Sequence, residues 1–167
     1  PFCCPIPSEA SVLSGGFAQP SQSRSKGSRL ALTIVTDTQG NLLSAIVHPA
    51  NVQDRDGAPA VVILACASYP TIAHLFADGG YAGEKLENAL RKIDGPTIEV
   101  VKRPDDAKGF VIVARRWVVE RTLAWLNRCR RLAKDWEASV TSAEAWLLIA
   151  STRQLLRRIA RSANVKS

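Results

Sequence analysis

The sequence lacks the features of a membrane-spanning or disulfide-rich protein. Its 167 residues contain no methionine, two histidines and four cysteines, and no stretch approaches the roughly twenty apolar residues that cross a bilayer. Residues 1–16 show no basic segment followed by a sustained apolar run, so we expect no signal peptide. The missing methionine fits removal of the initiator before Pro1 and also fits a fragment. The cysteines have no metal-ligand spacing, which indicates reduced thiols.

Charge is unevenly distributed along the chain. Residues 1–100 contain seven Lys and Arg against nine Asp and Glu, whereas residues 101–167 contain fifteen against six, a net charge of +9. A basic half of this kind is typical of a surface that holds a polyanion. A solvated basic surface without a ligand is the alternative. With 46% apolar residues, the chain has enough hydrophobic side chains for one globular core.

Hydrophobic patterning predicts a mixed α/β domain, with helices covering a sheet, after an irregular start. Residues 1–28 are rich in Ser, Pro and Gly and are predicted to be an irregular lead-in. The predicted strands are 29–36 and 42–48, which form a hairpin, and then 71–77 and 96–101. The predicted helices are a short one capped by Asp56, then 84–92, 116–135, and a last helix to about 161 that starts with a capping box at Thr141.

The predicted helix 116–135 contains one acid among many arginines. Residues 115–131, RRWVVERTLAWLNRCRR, hold six arginines and a single carboxylate, Glu120. At 100° per residue one side of the helix is apolar, and the other is a basic stripe with Glu120 near its centre. The structural interpretation is that Glu120 reduces the charge repulsion among the arginines of an exposed basic helix. The alternative is that Glu120 holds a cation within a surface that binds phosphates.

A second carboxylate, Asp78, stands where a predicted buried strand ends and a Gly-Gly turn begins. It either caps that turn or lies at a sheet edge where ligands collect. Asp78 and Glu120 are both oxygen donors, the type that Mg²⁺ prefers. With two histidines and no cysteine cluster, a zinc site is not expected. Acidic ligands within a basic surface fit metal-assisted phosphodiester chemistry.

Three segments carry a family resemblance: VTDTQGNLLSAIVHPANVQDRDGA, ADGGYAG and GFVIVARRWVVERTLAWLNRCRRLAKDWE. They resemble bacterial insertion-sequence transposases of the DDE type, close to the insertion-sequence-five group. The resemblance implies a ribonuclease-H-like mixed sheet with flanking helices. It also implies Mg²⁺- or Mn²⁺-dependent cleavage and strand transfer of DNA at transposon ends. By this resemblance residues 29–162 are a partial catalytic domain and residues 163–167 are a tail.

The resemblance also assigns site residues. Asp78 matches the family's second catalytic aspartate and Glu120 its glutamate, both as metal ligands. Asn127 stands where family members often carry a basic residue. The residues predicted to contact DNA are basic side chains on the stripe and in the preceding loop: Arg116, Arg121, Arg128, Arg131, Lys134, Lys102 and Arg103. For the loop residues Lys102 and Arg103, solvated charges without a ligand are the alternative. The implied partners are transposon-end and target DNA. The resemblance also allows a homo-oligomer within a synaptic complex. The implied location is the bacterial cytoplasm at the nucleoid, with no membrane contact.

The chain departs from the family at its N-terminus. In the family the first aspartate lies on a strand upstream of the hairpin, but residues 1–25 contain no aspartate. We therefore expect the first strand to be missing or replaced and the chain to be an N-terminally truncated or inactive copy. Asp37 opens the hairpin turn and is predicted to serve that turn. Asp54 and Asp56 are predicted to cap a helix. A non-catalytic DNA-binding remnant and an unrelated metal-dependent nuclease are the alternatives.

Overall fold

The computed structural model describes residues 8–16, 30–49, 51–81, 84–101, 114–133 and 139–164. Within these ranges the chain forms five strands and four α-helices. The strands are β1 (Glu9–Gly16), β2 (Leu30–Asp37), β3 (Leu42–Pro49), β4 (His74–Asp78) and β5 (Thr97–Val101). The helices are α1 (Asp54–Ser68), α2 (Glu84–Lys92), α3 (Ala114–Leu126) and α4 (Val140–Asn164). A short 3-10 turn, Gly79–Tyr81, follows β4.

The five strands form one mixed sheet in the order β3-β2-β1-β4-β5. The predicted hairpin is present as β2 and β3. β1 runs antiparallel to β2 and parallel to β4, with Val12 paired with Ala77. β4 and β5 are also parallel. Parallel neighbours cannot be joined by a tight turn, and α2 makes the crossover between β4 and β5.

The central strand β1 lies within the segment predicted to be an irregular lead-in. That prediction is wrong for Glu9–Gly16. The strand contains Ser and Gly and has low intrinsic strand propensity, but it pairs with β2 on one side and β4 on the other. Both rows of its backbone groups are thereby satisfied, which decides its conformation. β1 occupies the place of the strand predicted to be missing or replaced, and it contains no aspartate.

Each face of the sheet is covered by one pair of helices. Val12 and Val35 belong to the core beneath α1 and α2. Ile34 and Val47 belong to the core beneath α3 and α4. Ile34 and Val35 are neighbours in β2 and are both fully buried, because successive side chains of a strand point to opposite faces. The molecule is therefore a three-layer α/β/α sandwich with one core on each face of the sheet.

The helices on the first face agree with the sequence prediction in position but not in capping. α2 spans Glu84–Lys92, as predicted. α1 begins at Asp54, after Gln53 in the cap position. Asp56 therefore lies inside the helix, so its prediction as the N-cap is wrong. Its carboxylate instead forms an ion pair with Lys85 of α2, a contact between helices that local sequence does not reveal.

α3 is shorter than its hydrophobic period predicts. It ends at Leu126 rather than near residue 135. Beyond it the amide of Arg128 donates to the carbonyl of Trp125 over 3.1 Å. This tighter i to i−3 hydrogen bond is typical of a helix that is ending. Arg131 therefore does not continue the basic stripe that an uninterrupted helix would give it.

α4 is the longest helix and begins one residue before the predicted capping box. It starts at Val140, and the amide of Ala143 donates to the carbonyl of Ser139 over 3.1 Å. Ser139 thus holds the cap position predicted for Thr141. Within the described residues, neither α4 nor any other helix is both long and apolar enough to cross a membrane.

The described cysteines are free thiols, as the sequence predicts. Cys66 lies in α1 and Cys129 follows α3. Burial raises the pKa of the Cys66 thiol, which lowers its thiolate fraction and therefore its reactivity. Cys3 and Cys4 lie outside the described residues.

Candidate active site

Asp78 is the last residue of β4 and lies on the α3–α4 face of the sheet. Leu75 and Ala77 belong to the core beneath α1 and α2, and alternation places Phe76 and Asp78 on the other face. Asp78 is partly buried, and its Oδ1 accepts a hydrogen bond of 2.7 Å from the amide of Gly79. This bond fits the turn-capping interpretation of Asp78. Its face and its position at the strand end fit the ligand interpretation equally.

Glu120 lies on α3, which packs across β1, β2 and β4. Val119 points into the core beneath the helix, and Glu120 is exposed beside it. Val118 and Thr122 both approach Gly40 in the hairpin turn. Glu120 stands about 160° from each of them around the helix, so it points away from that turn.

The strand between β2 and β4 supplies no third carboxylate beside Asp78. Continuing the register from Val12 and Ala77, position 13 of β1 is the backbone neighbour of Asp78. The acid of β1, Glu9, pairs with His74, four residues before Asp78 and roughly 13 Å away along the strand. The described residues contain no group of three His, Cys, Asp or Glu that could hold a metal ion. Asp78 and Glu120 are suitable oxygen donors for Mg²⁺, but they are two of the three ligands that the resemblance implies.

Asp37 serves the hairpin turn, as predicted. Its Oδ1 accepts hydrogen bonds from the amides of Gln39 at 2.9 Å and Asn41 at 2.7 Å. Its Oδ2 accepts one of 2.7 Å from the Asn41 side chain. Asp37 pairs with Ala10 of β1, three residues, or roughly 10 Å, along the strand from the position beside Asp78. Asp37 is therefore a structural residue and does not complete a site with Asp78.

Two helices hold this hairpin turn, which comprises residues 37–41. Thr122 Oγ1 donates to the carbonyl of Gly40 over 3.0 Å, and the Arg121 guanidinium donates to the carbonyl of Gln39 over 3.1 Å. From α4, Arg158 donates to the carbonyl of Gln39 over 3.2 Å and to the side chain of Asn41. The turn therefore fixes the segment of α3 that carries Glu120 against the sheet.

Arg121 and Arg158 also flank a tryptophan. Their guanidinium carbons lie 4.9 Å and 5.0 Å from the centre of the Trp125 ring, within the range of a cation–π contact. Burial lowers the pKa of Arg158, while the negative charge of Asp37 opposes that shift. These contacts give Arg121 a structural role on the turn. The prediction that Arg121 contacts DNA stays a prediction.

A substitution at Gly40 tests whether the contact between α3 and the hairpin turn stabilises the protein. We call this contact the interlock. Gly40 has φ +82°, and a Cβ at this position would lie 2.6 Å from Thr122 Oγ1. We expect Gly40→Ala to destabilise the protein by about 1–3 kcal/mol, because the backbone is left-handed and the Thr122 side chain that contacts the turn must shift. Urea denaturation measures the change. Gly79→Ala is the matched control, since its Cβ meets open space, and it is expected to stay within about 0.5 kcal/mol. Equal effects of the two variants would contradict the interlock.

The other predicted DNA contacts are distributed over several places. Arg131 lies with its guanidinium carbon 5.5 Å from the centre of the Trp146 ring of α4. Arg128 is exposed and faces a groove between the end of α3 and α4. Three other predicted DNA contacts lie outside the described residues, namely Lys102, Arg103 and Lys134. The side chain of Arg116 also lies outside the described part of the structure. No contact in the described structure tests these predictions.

The arginines of α4 are not among the residues predicted from the sequence to contact DNA. Arg153, Arg157 and Arg161 follow one another at intervals of four residues and line the same groove as Arg128. Their spacing, which places side chains on one helix face, was the signal available in the sequence. The sequence does not reveal that the end of α3 lies beside this face and forms a groove with it.

Known proteins are similar to this chain at the levels of sequence and of fold. The family model of the transposase DDE domain matches residues 10–155. A protein of Burkholderia cepacia, assigned as transposase for insertion sequence element IS402, is 36% identical over 106 residues. That match covers 59% of this chain and 49% of the relative, so the chain spans about half the length of the curated relative that it matches.

Solved structures share the architecture at low sequence identity. The catalytic core domain of BIV integrase superposes with a TM-score of 0.54 at 14% identity, covering 86% of this chain and 80% of the integrase domain. The catalytic core domain of HTLV-2 integrase, solved in complex with magnesium, gives a TM-score of 0.54 at 9% identity and covers 87% and 84% of the two chains. These likenesses confirm the predicted ribonuclease-H-like fold.

Proposed function

This chain belongs to the transposase DDE domain family, and we propose that its candidate site derives from one that cuts and joins DNA at transposon ends. The proposal is supported chiefly by the placement of two carboxylates. Asp78 ends β4 on the face that α3 covers, and Glu120 is exposed on α3 on the side that faces away from the hairpin turn. In the proposed site both side chains are ligands of Mg²⁺ or Mn²⁺.

The proposed site divides the work between acidic and basic residues. A bound Mg²⁺ or Mn²⁺ supplies Lewis acidity and lowers the pKa of an attacking water. Asp78 and Glu120 orient that cation through their oxygens. The basic residues of the C-terminal part, including Arg116 and Arg128, bind the DNA backbone. Phosphate contacts of this kind position a duplex without reading its sequence.

The partners and location follow from the same proposal. The DNA partners are transposon ends and the target, and the active assembly is a homo-oligomer that holds two ends together. In this proposal residues 29–162 are a partial catalytic domain, to which β1 adds the central strand. The protein acts in the bacterial cytoplasm at the nucleoid.

For this chain we favour DNA binding without cleavage. β1 has no aspartate, and the described residues lack a cluster of three metal-type ligands. A cation held by two carboxylates is bound more weakly than one held by three. The reacting groups also lose their alignment, and small misplacements of reacting groups lower the rate strongly. The net charge of +9 after residue 100 still attracts DNA phosphates.

A nicking assay tests the proposal. The purified chain is incubated with Mg²⁺ or Mn²⁺ and DNA that carries matched transposon ends. We expect DNA to be bound and no nicks at the ends, whereas a family member with all three carboxylates nicks under the same conditions. Specific, metal-dependent nicking by this chain would show that another residue supplies the third carboxylate. An absence of DNA binding at low salt would overturn the DNA-binding function itself.

A further inference from the structure

The groove between the end of α3 and α4 combines charge with an apolar floor. It has a volume of about 260 Å³. Five arginines line it: Arg128, Arg153, Arg157, Arg158 and Arg161. Trp125, Trp146 and Ile149 are among its apolar residues, and no Asp or Glu is among the described residues that line it. We call this site the arginine groove.

We propose that the arginine groove binds an unpaired stretch of a DNA strand, with phosphates on the arginines and one base on the apolar floor. This inference goes beyond the proposed cleavage site, because Asp78 ends β4, whereas α4, which supplies most of the groove, packs on the edge strand β3. It rests on the proposed function only in its choice of DNA as the anion.

The spacing of the α4 arginines fits one nucleic-acid strand. Arg153, Arg157 and Arg161 are four residues apart, so each step is about 6 Å along the helix axis. This distance is close to the repeat of successive phosphates in a single strand. Arg128 faces them from the other wall. A strand in the groove would therefore meet positive charge on both sides.

The floor of the groove favours a base that is not paired. Ile149 and the Trp146 indole offer apolar surface within a concave site, and such surface receives a base only when the base leaves its duplex partner. Arg guanidinium planes and aromatic rings are the usual stacking partners of single-stranded bases. A purely solvated arginine row would have neither the concavity nor the apolar floor.

The test uses the full chain and a short fluorescent oligothymidylate. Wild-type protein is expected to bind it more tightly than an abasic oligonucleotide of equal length, by about fivefold or more, because base stacking contributes to the affinity. Replacing Arg153 and Arg157 by glutamine should reduce the slope of log affinity against log salt by about 1.4, since two single-strand phosphates lose their partners. The matched control removes two charges from α2, at Arg91 and Lys92, and should leave the slope unchanged.

A second pair of variants tests the groove independently of total charge. Ile149→Glu places a carboxylate in the groove, whereas Leu148→Glu places one on the adjacent residue, which does not line it. Both side chains are exposed, at 55% and 62%, so neither change should unfold the protein. We expect Ile149→Glu to weaken oligothymidylate binding about tenfold or more and Leu148→Glu to weaken it far less. Circular dichroism verifies that all variants are folded.

Three outcomes would overturn the inference. They are equal losses in the Ile149 and Leu148 variants, equal affinity for abasic and thymidine oligonucleotides, and displacement by an acidic peptide as effective as by oligothymidylate. The last would identify the groove as a protein-docking surface. If duplex transposon ends bind while oligothymidylate does not, the inference fails and the proposed function stands. If neither binds, both fail.

Discussion

An aspartate placed at position 13 is expected to give this chain metal-dependent nicking activity at transposon ends. By register, position 13 of β1 is the backbone neighbour of Asp78. It alternates with Ala10 and Val12, which belong to the core beneath α1 and α2, so it lies on the same sheet face as Asp78. Leu13→Asp thus brings a third carboxylate to the face that α3 covers. We expect at least a hundredfold more nicking than background, because misplacement of reacting groups alone can cost about that much.

Matched variants separate metal chemistry from a general effect of the substitution. Leu13→Asn introduces a side chain of nearly the same shape as aspartate but without its charge, and this variant should remain inactive. Adding Glu120→Gln to Leu13→Asp should abolish nicking while duplex binding is kept or slightly tightened, since a negative charge leaves a basic surface. Nicking by the double variant that carries Glu120→Gln would mean that Glu120 is not a metal ligand and has only a structural role.

Burying a charge at Val12 is expected to unfold the protein. Val12 is 2% exposed and lies in the central strand beneath α1. An unpaired carboxylate there costs several kcal/mol, which is a large part of the roughly 5–15 kcal/mol that stabilises a typical domain. We expect Val12→Asp to lose most of the cooperative urea transition.

The control for Val12→Asp places the same charge on a different element. Ile63 of α1 is 38% exposed, and Ile63→Asp should shift the urea midpoint only slightly because its carboxylate reaches water. Val12→Ala, which removes two methyl groups without adding charge, should give an intermediate loss of about 1–3 kcal/mol. Unfolding curves for Val12→Asp and wild type that coincide would mean that β1 is not part of the stable sheet.

Elements with strong local signals could be predicted from the sequence, and elements that depend on distant partners could not. The β2–β3 hairpin has β-branched runs around a glycine turn, and α2 has a clear amphipathic period, so both were found. β1 has no such signal, and only pairing with β2 and β4 makes it a strand. The end of α3 at Leu126 was missed because the hydrophobic period continues beyond it.

The candidate site divides in a similar way. The position of Asp78 at a strand end could be predicted because a buried run stops at two glycines. The turn role of Asp37 followed from its place before a glycine, and its hydrogen bonds confirm it. The hold of Arg158 on Gln39 spans more than one hundred residues of sequence, and no local pattern reveals it. The arginine groove was missed for the same reason, since its two walls are separate in sequence.

The central place of β1 has a consequence for the order in which the chain folds during synthesis. β1 leaves the ribosome before the other described strands, and the β2–β3 hairpin can form next and pair with one of its edges. The other edge must wait for β4, since Val12 pairs with Ala77 far along the chain. Long-range pairing of this kind is slow, and an open strand edge pairs readily with neighbouring chains. A pause in translation between β3 and β4 should therefore increase aggregation of the nascent protein, whereas a pause after β5, when β1 and β4 are paired on both edges, should increase it far less.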